Sequence, residues 1–231
     1  MDELERLRGE ALEFEMQGKI EKAIDILKQI LESEPEQYDL RVKLGELYYV
    51  SGDIKKSIYE FETVIKSKPD YTFALYRLGI SYFRATRFSD AIKVFRHITE
   101  IEPDLFMAYY WEGLSYYHTG RFKKSIEAYQ KLTDNSPHST LGYYQLSIVF
   151  KASGKYEDAI QCLREILKED PNVVSVHYHL ALSYLGVGNE ELAIKHLAKV
   201  KELDPEHLDA QRRLKELTDP KDLYTFEVPP L

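Results

Sequence analysis

Small, aromatic and branched apolar residues return along this chain in one long period built from two shorter ones. The repeating unit has 34 positions, and repeats start at Leu4, Tyr38, Thr72, Phe106, Thr140 and Val174. Position 8 is small (Ala11, Gly45, Gly79, Gly113, Ser147, Ala181), and position 11 is aromatic (Phe14, Tyr48, Tyr82, Tyr116, Phe150, Tyr184). Position 20 is again small (Ala23, Ser57, Ala91, Ser125, Ala159, Ala193), and position 21 is always isoleucine (Ile24, Ile58, Ile92, Ile126, Ile160, Ile194). At 3.6 residues per turn, positions 4, 8 and 11 share one helical face, and positions 20, 24 and 27 share one face of a second helix. Position 15 is Gly18, Gly52, Gly120, Gly154 and Gly188, with Thr86 in the third repeat. Glycine there adopts a backbone state that other residues resist, and so closes the first helix. Position 32 is Pro35, Pro69, Pro103, Pro137, Pro171 and Pro205, and proline cannot continue the second helix. The pattern predicts six helix–turn–helix repeats, with the small residues at 8 and 20 letting paired helices approach closely.

Beyond Pro205 the pattern predicts one more helix over 206–217, with Leu208, Ala210, Leu214 and Leu217 facing the last repeat and Arg212, Arg213 and Lys215 facing water. Repeat arrays need such a solvating cap over their final apolar face. Pro220, Pro229 and Pro230 exclude a continuous helix in the tail, 219–231.

These motifs resemble the tetratricopeptide repeat, whose pattern is W-x2-L-G-x2-Y followed by A-x3-F and P. Leu44-Gly45-x2-Tyr48 and Leu78-Gly79-x2-Tyr82 match its first half; Ala91-x3-Phe95 with Pro103, and Ser57-x3-Phe61 with Pro69, match its second. The resemblance covers 4–207. The tryptophan position departs from it, holding Leu7, Arg41, Leu75, Tyr109, Tyr143 and His177, and Glu112 replaces the leucine of the fourth repeat. The resemblance implies an all-α, right-handed superhelical solenoid over 1–218 whose first helices line a concave groove. Positions 2, 5, 9 and 12 of each repeat then point inward.

Read at those positions, the first two repeats present mainly acids and one arginine, Glu5, Arg8, Glu15, Asp39 and Glu46, with Leu12, Val42 and Tyr49 among them. Repeats three to six present Phe73, Tyr76, Ile80, Phe83, Met107, Tyr110, Leu114, Tyr117, Leu141, Tyr144, Ile148, Tyr178 and Leu182, with Trp111 beside them. A large apolar patch of this kind marks an interaction site. The alternative is that tight coiling buries these residues against one another. Some members of the family clamp a peptide carboxylate with Lys, Arg and Asn at positions 5, 6 and 9. Here positions 5 and 9 are mostly Tyr with Ile or Leu, leaving Lys43 and Arg77 at position 6 as a weak clamp that can still contact an acidic ligand group.

Charge and composition narrow the function. The net charge of −8 argues against nucleic acid, whose binding rests on neutralising phosphates. No segment is long and apolar enough to span a membrane. The acidic start, Met1-Asp2-Glu3-Leu4-Glu5, lacks the features of a signal peptide, so a cytoplasmic location is expected. No catalytic, cofactor or metal site is expected. His177 and His179 are two apart on a helix and diverge, and Cys162 reads as part of the packing. The expected role is a non-enzymatic scaffold or adaptor for a protein or peptide partner, holding an extended apolar peptide or a partner helix. The alternative is a self-assembling homo-oligomeric platform in which Leu223, Tyr224, Phe226, Val228 and Leu231 of the tail dock in their own or a neighbour's groove.

Overall fold

The computed structural model describes residues 3–136 and 138–219; among them every regular element is an α-helix. The chain falls into two compact units, Met1–Arg121 and Phe122–Leu231. The N-terminal unit holds α1 (Glu3–Met16), α2 (Ile20–Ser33), α3 (Tyr38–Ser51), α4 (Ile54–Ser67), α5 (Thr72–Arg84), α6 (Phe88–Ile101) and α7 (Phe106–His118). The C-terminal unit holds α8 (Phe122–Asn135), α9 (Thr140–Ala152), α10 (Tyr156–Glu169), α11 (Val174–Gly186), α12 (Glu190–Leu203) and α13 (Leu208–Thr218). Within each unit every helix packs on its neighbours in sequence.

The turns form as the repeat pattern predicts. Gly18, Gly52, Gly120, Gly154 and Gly188 all have positive φ. In most repeats the N–H at position 16 reaches back to the carbonyl of the position-11 aromatic, as in Lys19 to Phe14 (2.8 Å) and Lys155 to Phe150 (2.8 Å). Thr86 takes the same left-handed state at φ 58, and Arg87 N–H still reaches the Tyr82 carbonyl at 2.9 Å. A left-handed conformation costs an L-residue roughly 1–2 kcal/mol, against roughly 0.5–1 kcal/mol for the chain entropy of glycine. Thr86→Gly is therefore expected to raise stability by about 0.5–1 kcal/mol, read as a higher urea midpoint at unchanged slope. A lower midpoint would show that the Thr86 hydroxyl, which donates to the Ala85 carbonyl at 2.7 Å, outweighs the strain.

The core is a series of layers between paired helices. Position 24 of the second helix meets position 8 of the first, and the larger one is, the smaller the other. Gly45 faces Phe61 and Gly79 faces Phe95, so closely that a Cβ would sit 2.9 Å and 2.6 Å from the respective rings. Where position 8 is alanine, position 24 is the smaller leucine: Ala11 shares a cluster with Leu27, and Ala181 with Leu197. Phe61, Phe95, Leu163 and Leu197 are all fully buried.

The last helix corrects the sequence reading. It begins at Leu208, not at residue 206. His207 N–H bonds the Asp204 carbonyl at 3.2 Å, and the His207 side chain caps the helix by accepting from Ala210 N–H at 3.3 Å. Leu208 does not face the last repeat but is 77% exposed, while Ala210, Leu214 and Leu217 do pack on it. Arg213 is half-buried rather than turned to water. The tail residues Leu223, Tyr224, Phe226, Val228 and Leu231 lie outside the described residues, as does Pro137.

Candidate protein-binding face

The first helices of the repeats carry the residues that the sequence points inward. In the N-terminal unit the beginning of this face is polar and already neutralised. Lys43 Nζ meets Glu15 Oε1 at 2.6 Å, Arg77 Nε meets Glu46 Oε1 at 3.2 Å, and Arg8 meets Asp39 at 3.6 Å. The Arg77 guanidinium also lies over the Tyr49 ring at 5.3 Å. Lys43 and Arg77 are thus committed to carboxylates of their own chain and are not a ready clamp for a ligand's.

Apart from the exposed Leu12 of α1, apolar character begins at α5. Phe73 and Met107, both at position 2, are 48% and 40% exposed. With Tyr71, Tyr76 and Leu105 they line a cleft of about 690 Å³ edged by Asp70 and Glu102. Deeper on the same face, Tyr76, Ile80, Phe83 and Trp111 are half-buried against the core of that unit. Trp111 Nε1–H donates to Tyr76 Oη at 2.9 Å, and its ring stacks near Phe95 (6.2 Å between centroids, 11°) and meets Phe83 and Tyr110 edge-on. Leu114 and Tyr117 are also half-buried. In these repeats positions 5, 9 and 12 thus pack among themselves, and position 2 stays open.

In the C-terminal unit Leu141, at position 2, is 40% exposed, while Tyr144, Ile148, Tyr178 and Leu182 are half-buried. A polar ladder absent from the sequence reading runs beside them. His179 Nε2 lies 2.9 Å from Tyr144 Oη, and Arg213 Nε donates to Tyr178 Oη at 3.4 Å. With Trp111 and Tyr76 these make three pairs, each with position 6 of one first helix donating to the position-5 tyrosine 35 residues earlier. The signal was present in the sequence as a donor following each tyrosine at that spacing. It was missed because position 6 was read only for a carboxylate clamp. Lys151 Nζ lies 2.7 Å from His179 Nδ1. Burial first, and Lys151 second, push the His179 imidazole down to about 4, so near neutral pH the Lys151 ammonium donates to Nδ1 and the Nε2–H donates to Tyr144.

Models of the tetratricopeptide repeat match residues 16–71 and 150–217 in one form and residues 76–140 in another. The chain belongs to the tetratricopeptide repeat family. No curated protein matches it in a sequence search. Solved structures similar to it include MamA, at TM-score 0.70 and 22% identity over 76% of this chain and 96% of that one. MamA from Desulfovibrio magneticus RS-1 gives TM-score 0.69 at 19% identity, covering 74% of this chain and 97% of that one. YrrB, described as a TPR protein with an unusual peptide-binding site, gives TM-score 0.70 at 16% identity, covering 82% and 97%. At these identities the likeness establishes the fold, an all-α tetratricopeptide solenoid.

Outside the face, groups that could do chemistry are held in packing. His177 Nδ1 lies 2.9 Å from His196 Nδ1 and its Nε2 lies 2.9 Å from the Pro171 carbonyl, so its partners differ from those of His179. Among the described residues no three His, Cys, Asp or Glu side chains are grouped to hold a metal, and no helix is long and apolar enough to cross a membrane. Cys162 is buried in α10, and that burial pushes its thiol up to about 12. Because the thiolate is the reactive form, Ellman's reagent is expected to leave the native chain unmodified and to label it only once denaturant is added. Rapid labelling of the native chain would contradict this.

Proposed function

We propose that this chain is a non-enzymatic interaction scaffold whose first-helix face receives an extended apolar peptide or a partner helix. Membership of the tetratricopeptide repeat family supports a protein-binding role in general. One observation carries the finer reading: two adjacent first helices leave Phe73 and Met107 open above an apolar cleft. An exposed apolar surface rimmed by polar groups is what a soluble protein keeps for a partner. In this reading residues 1–218 are the binding solenoid and 219–231 a separate tail. The ligand-binding residues are the apolar stripe of each unit taken separately, Phe73 to Tyr117 in the first and Leu141 to Leu182 in the second.

The test is selection of a displayed random 12-residue peptide library on the immobilised chain, in parallel with the Phe73→Glu/Met107→Glu variant. Enrichment on the parent of peptides with apolar anchors that are lost on the variant supports the reading. If every enriched peptide is kept on the variant, the reading is contradicted. A second reading rests on the tail sequence, where Leu223, Tyr224, Phe226, Val228 and Leu231 gather five apolar residues in a short segment. If that tail fills a neighbour's face, mass will rise with concentration, and deletion of 219–231 will abolish the rise.

A further inference from the structure

On their first-helix faces the two units treat the position-6 and position-12 cations differently. In the N-terminal unit the position-12 side chain of one repeat meets the position-6 side chain of the next as an acid and a base, Glu15 with Lys43 at 2.6 Å, 28 residues apart. The equivalent place in the C-terminal unit, at the same separation of 28, holds Lys151 and His179 at 2.7 Å, two bases. Lys151 has no ion pair among the described residues, and neither does Arg213 further along the ladder. Lys43, Arg77 and Arg8 all have one. Burial holds the Lys151 ammonium below the usual lysine range with no carboxylate to offset it. A half-buried ammonium whose hydrogen-bond partner among the described residues is one neutral imidazole has donors left over. Tyr144 and Tyr178, each accepting from its position-6 partner, keep their own O–H to give away. Tyr178 also packs on the His207 ring at 4.7 Å. The result is a set of four donors, Lys151, Arg213, Tyr144 and Tyr178, two of them charged and neither of those ion-paired among the described residues, with the exposed Leu141 one turn before Tyr144 on α9.

Resting on the peptide-binding reading above, we propose that the C-terminal unit selects acidic peptides, receiving side-chain carboxylates on Lys151 with Tyr144 and on Arg213 with Tyr178. The occupant is a segment of a protein partner in which Asp or Glu alternates with apolar residues: the apolar side chains lie toward Leu141 and Leu182, and the acids meet the ladder. Charge complementarity decides this choice, since a carboxylate supplies the missing counter-charge while an all-apolar segment would leave Lys151 buried and unpaired. Charge-assisted hydrogen bonds of this type are the strong ones. Removing one from a buried site costs roughly ten- to hundredfold in affinity.

The library selection is read here for its sequences and repeated on full-length Lys151→Gln, Arg213→Gln, Lys151→Arg and, as a control of equal charge change, Lys43→Gln, each checked for unchanged helicity. Peptides that stay enriched on Phe73→Glu/Met107→Glu are expected to carry Asp or Glu at a fixed distance from an apolar anchor, and loss of every peptide on that variant would overturn this inference. The best of them, made with free and with amidated C-termini, should bind equally in both forms. It should weaken roughly ten- to hundredfold when its acids become Asn or Gln, or on Lys151→Gln or Arg213→Gln. Lys151→Arg should keep most of the affinity and Lys43→Gln all of it. Enriched peptides without acids, or binding untouched by Lys151→Gln and Arg213→Gln together, would overturn this inference while leaving the peptide-binding reading in place. Dependence on the free C-terminus alone would overturn it in favour of terminal recognition. Absence of any enrichment would overturn both.

Discussion

Phe95→Ala is expected to cost about 3–5 kcal/mol. Phe95 is fully buried, its ring touches the backbone side of Gly79, and Trp111 stacks near it at 6.2 Å. Removing the ring takes away apolar burial and leaves a cavity between α5, α6 and α7, because close-packed helices relax only in part. Urea denaturation followed by Trp111 emission reads the loss locally. The size pairing between positions 8 and 24 sharpens the test. Gly79→Ala alone drives a methyl into the ring, and Phe95→Leu alone opens a void, so each is expected to cost about 1–3 kcal/mol. Together they reproduce the Ala181–Leu197 pairing of the sixth repeat, and the double variant should lose less than the sum of the singles. Additive losses would mean that helix spacing, and not the facing pair, sets the layer.

Arg41→Met carries the second large effect. Arg41 Nη1 donates to Glu60 Oε2 at 2.7 Å, with the two side chains only 14% and 10% exposed. Deleting one partner of a buried pair leaves an uncompensated charge, at a cost of about 3–5 kcal/mol. Burial already holds the Glu60 carboxyl above its ordinary 4.5, with the Arg41 hydrogen bond pulling it back. The folded chain therefore binds that proton more tightly than the unfolded chain. Glu60 thus destabilises at neutral pH, and the penalty lessens as pH falls through the raised folded value toward 4.5. Without Arg41 the carboxyl rises further, so the deficit of Arg41→Met should be largest near neutral pH and shrink on acidification. Denaturation midpoints at neutral and mildly acidic pH check the sign. A deficit that grows on acidification would contradict it. Replacing both residues by methionine should recover much of the loss.

Much of this fold was legible because each repeat states its own register. The first helices begin at Tyr38, Thr72, Phe106, Thr140 and Val174, three residues after each position-32 proline, where the repeat pattern set them. The same rule applied to Pro205 gives Leu208, the observed start of α13. The expectation of 206 came from treating the cap as different from a first helix, and it also turned Leu208 to the wrong side. The face was less legible. Helical spacing finds which residues share a stripe, but not how far each is covered by the next repeat, so Phe73 and Tyr76 looked alike although only Phe73 stays open. Bonds between repeats were out of reach for the same reason. Glu15 with Lys43 and His179 with Tyr144 depend on how one helix is set against the next, which no single helix encodes.

The central claim is that the open apolar face of α5 and α7 is where a partner binds. The most direct measurement takes a peptide enriched on the parent and lost on Phe73→Glu/Met107→Glu, labels it fluorescently, and titrates it against the protein while recording peptide anisotropy and Trp111 emission together. Trp111 is the only tryptophan and donates to Tyr76, whose ring lines the cleft with Phe73 and Met107. The account predicts that emission shifts and saturates with the same midpoint as anisotropy, and that Phe73→Glu/Met107→Glu removes both signals. Saturating anisotropy with unmoved Trp111 emission would place the ligand elsewhere and contradict it.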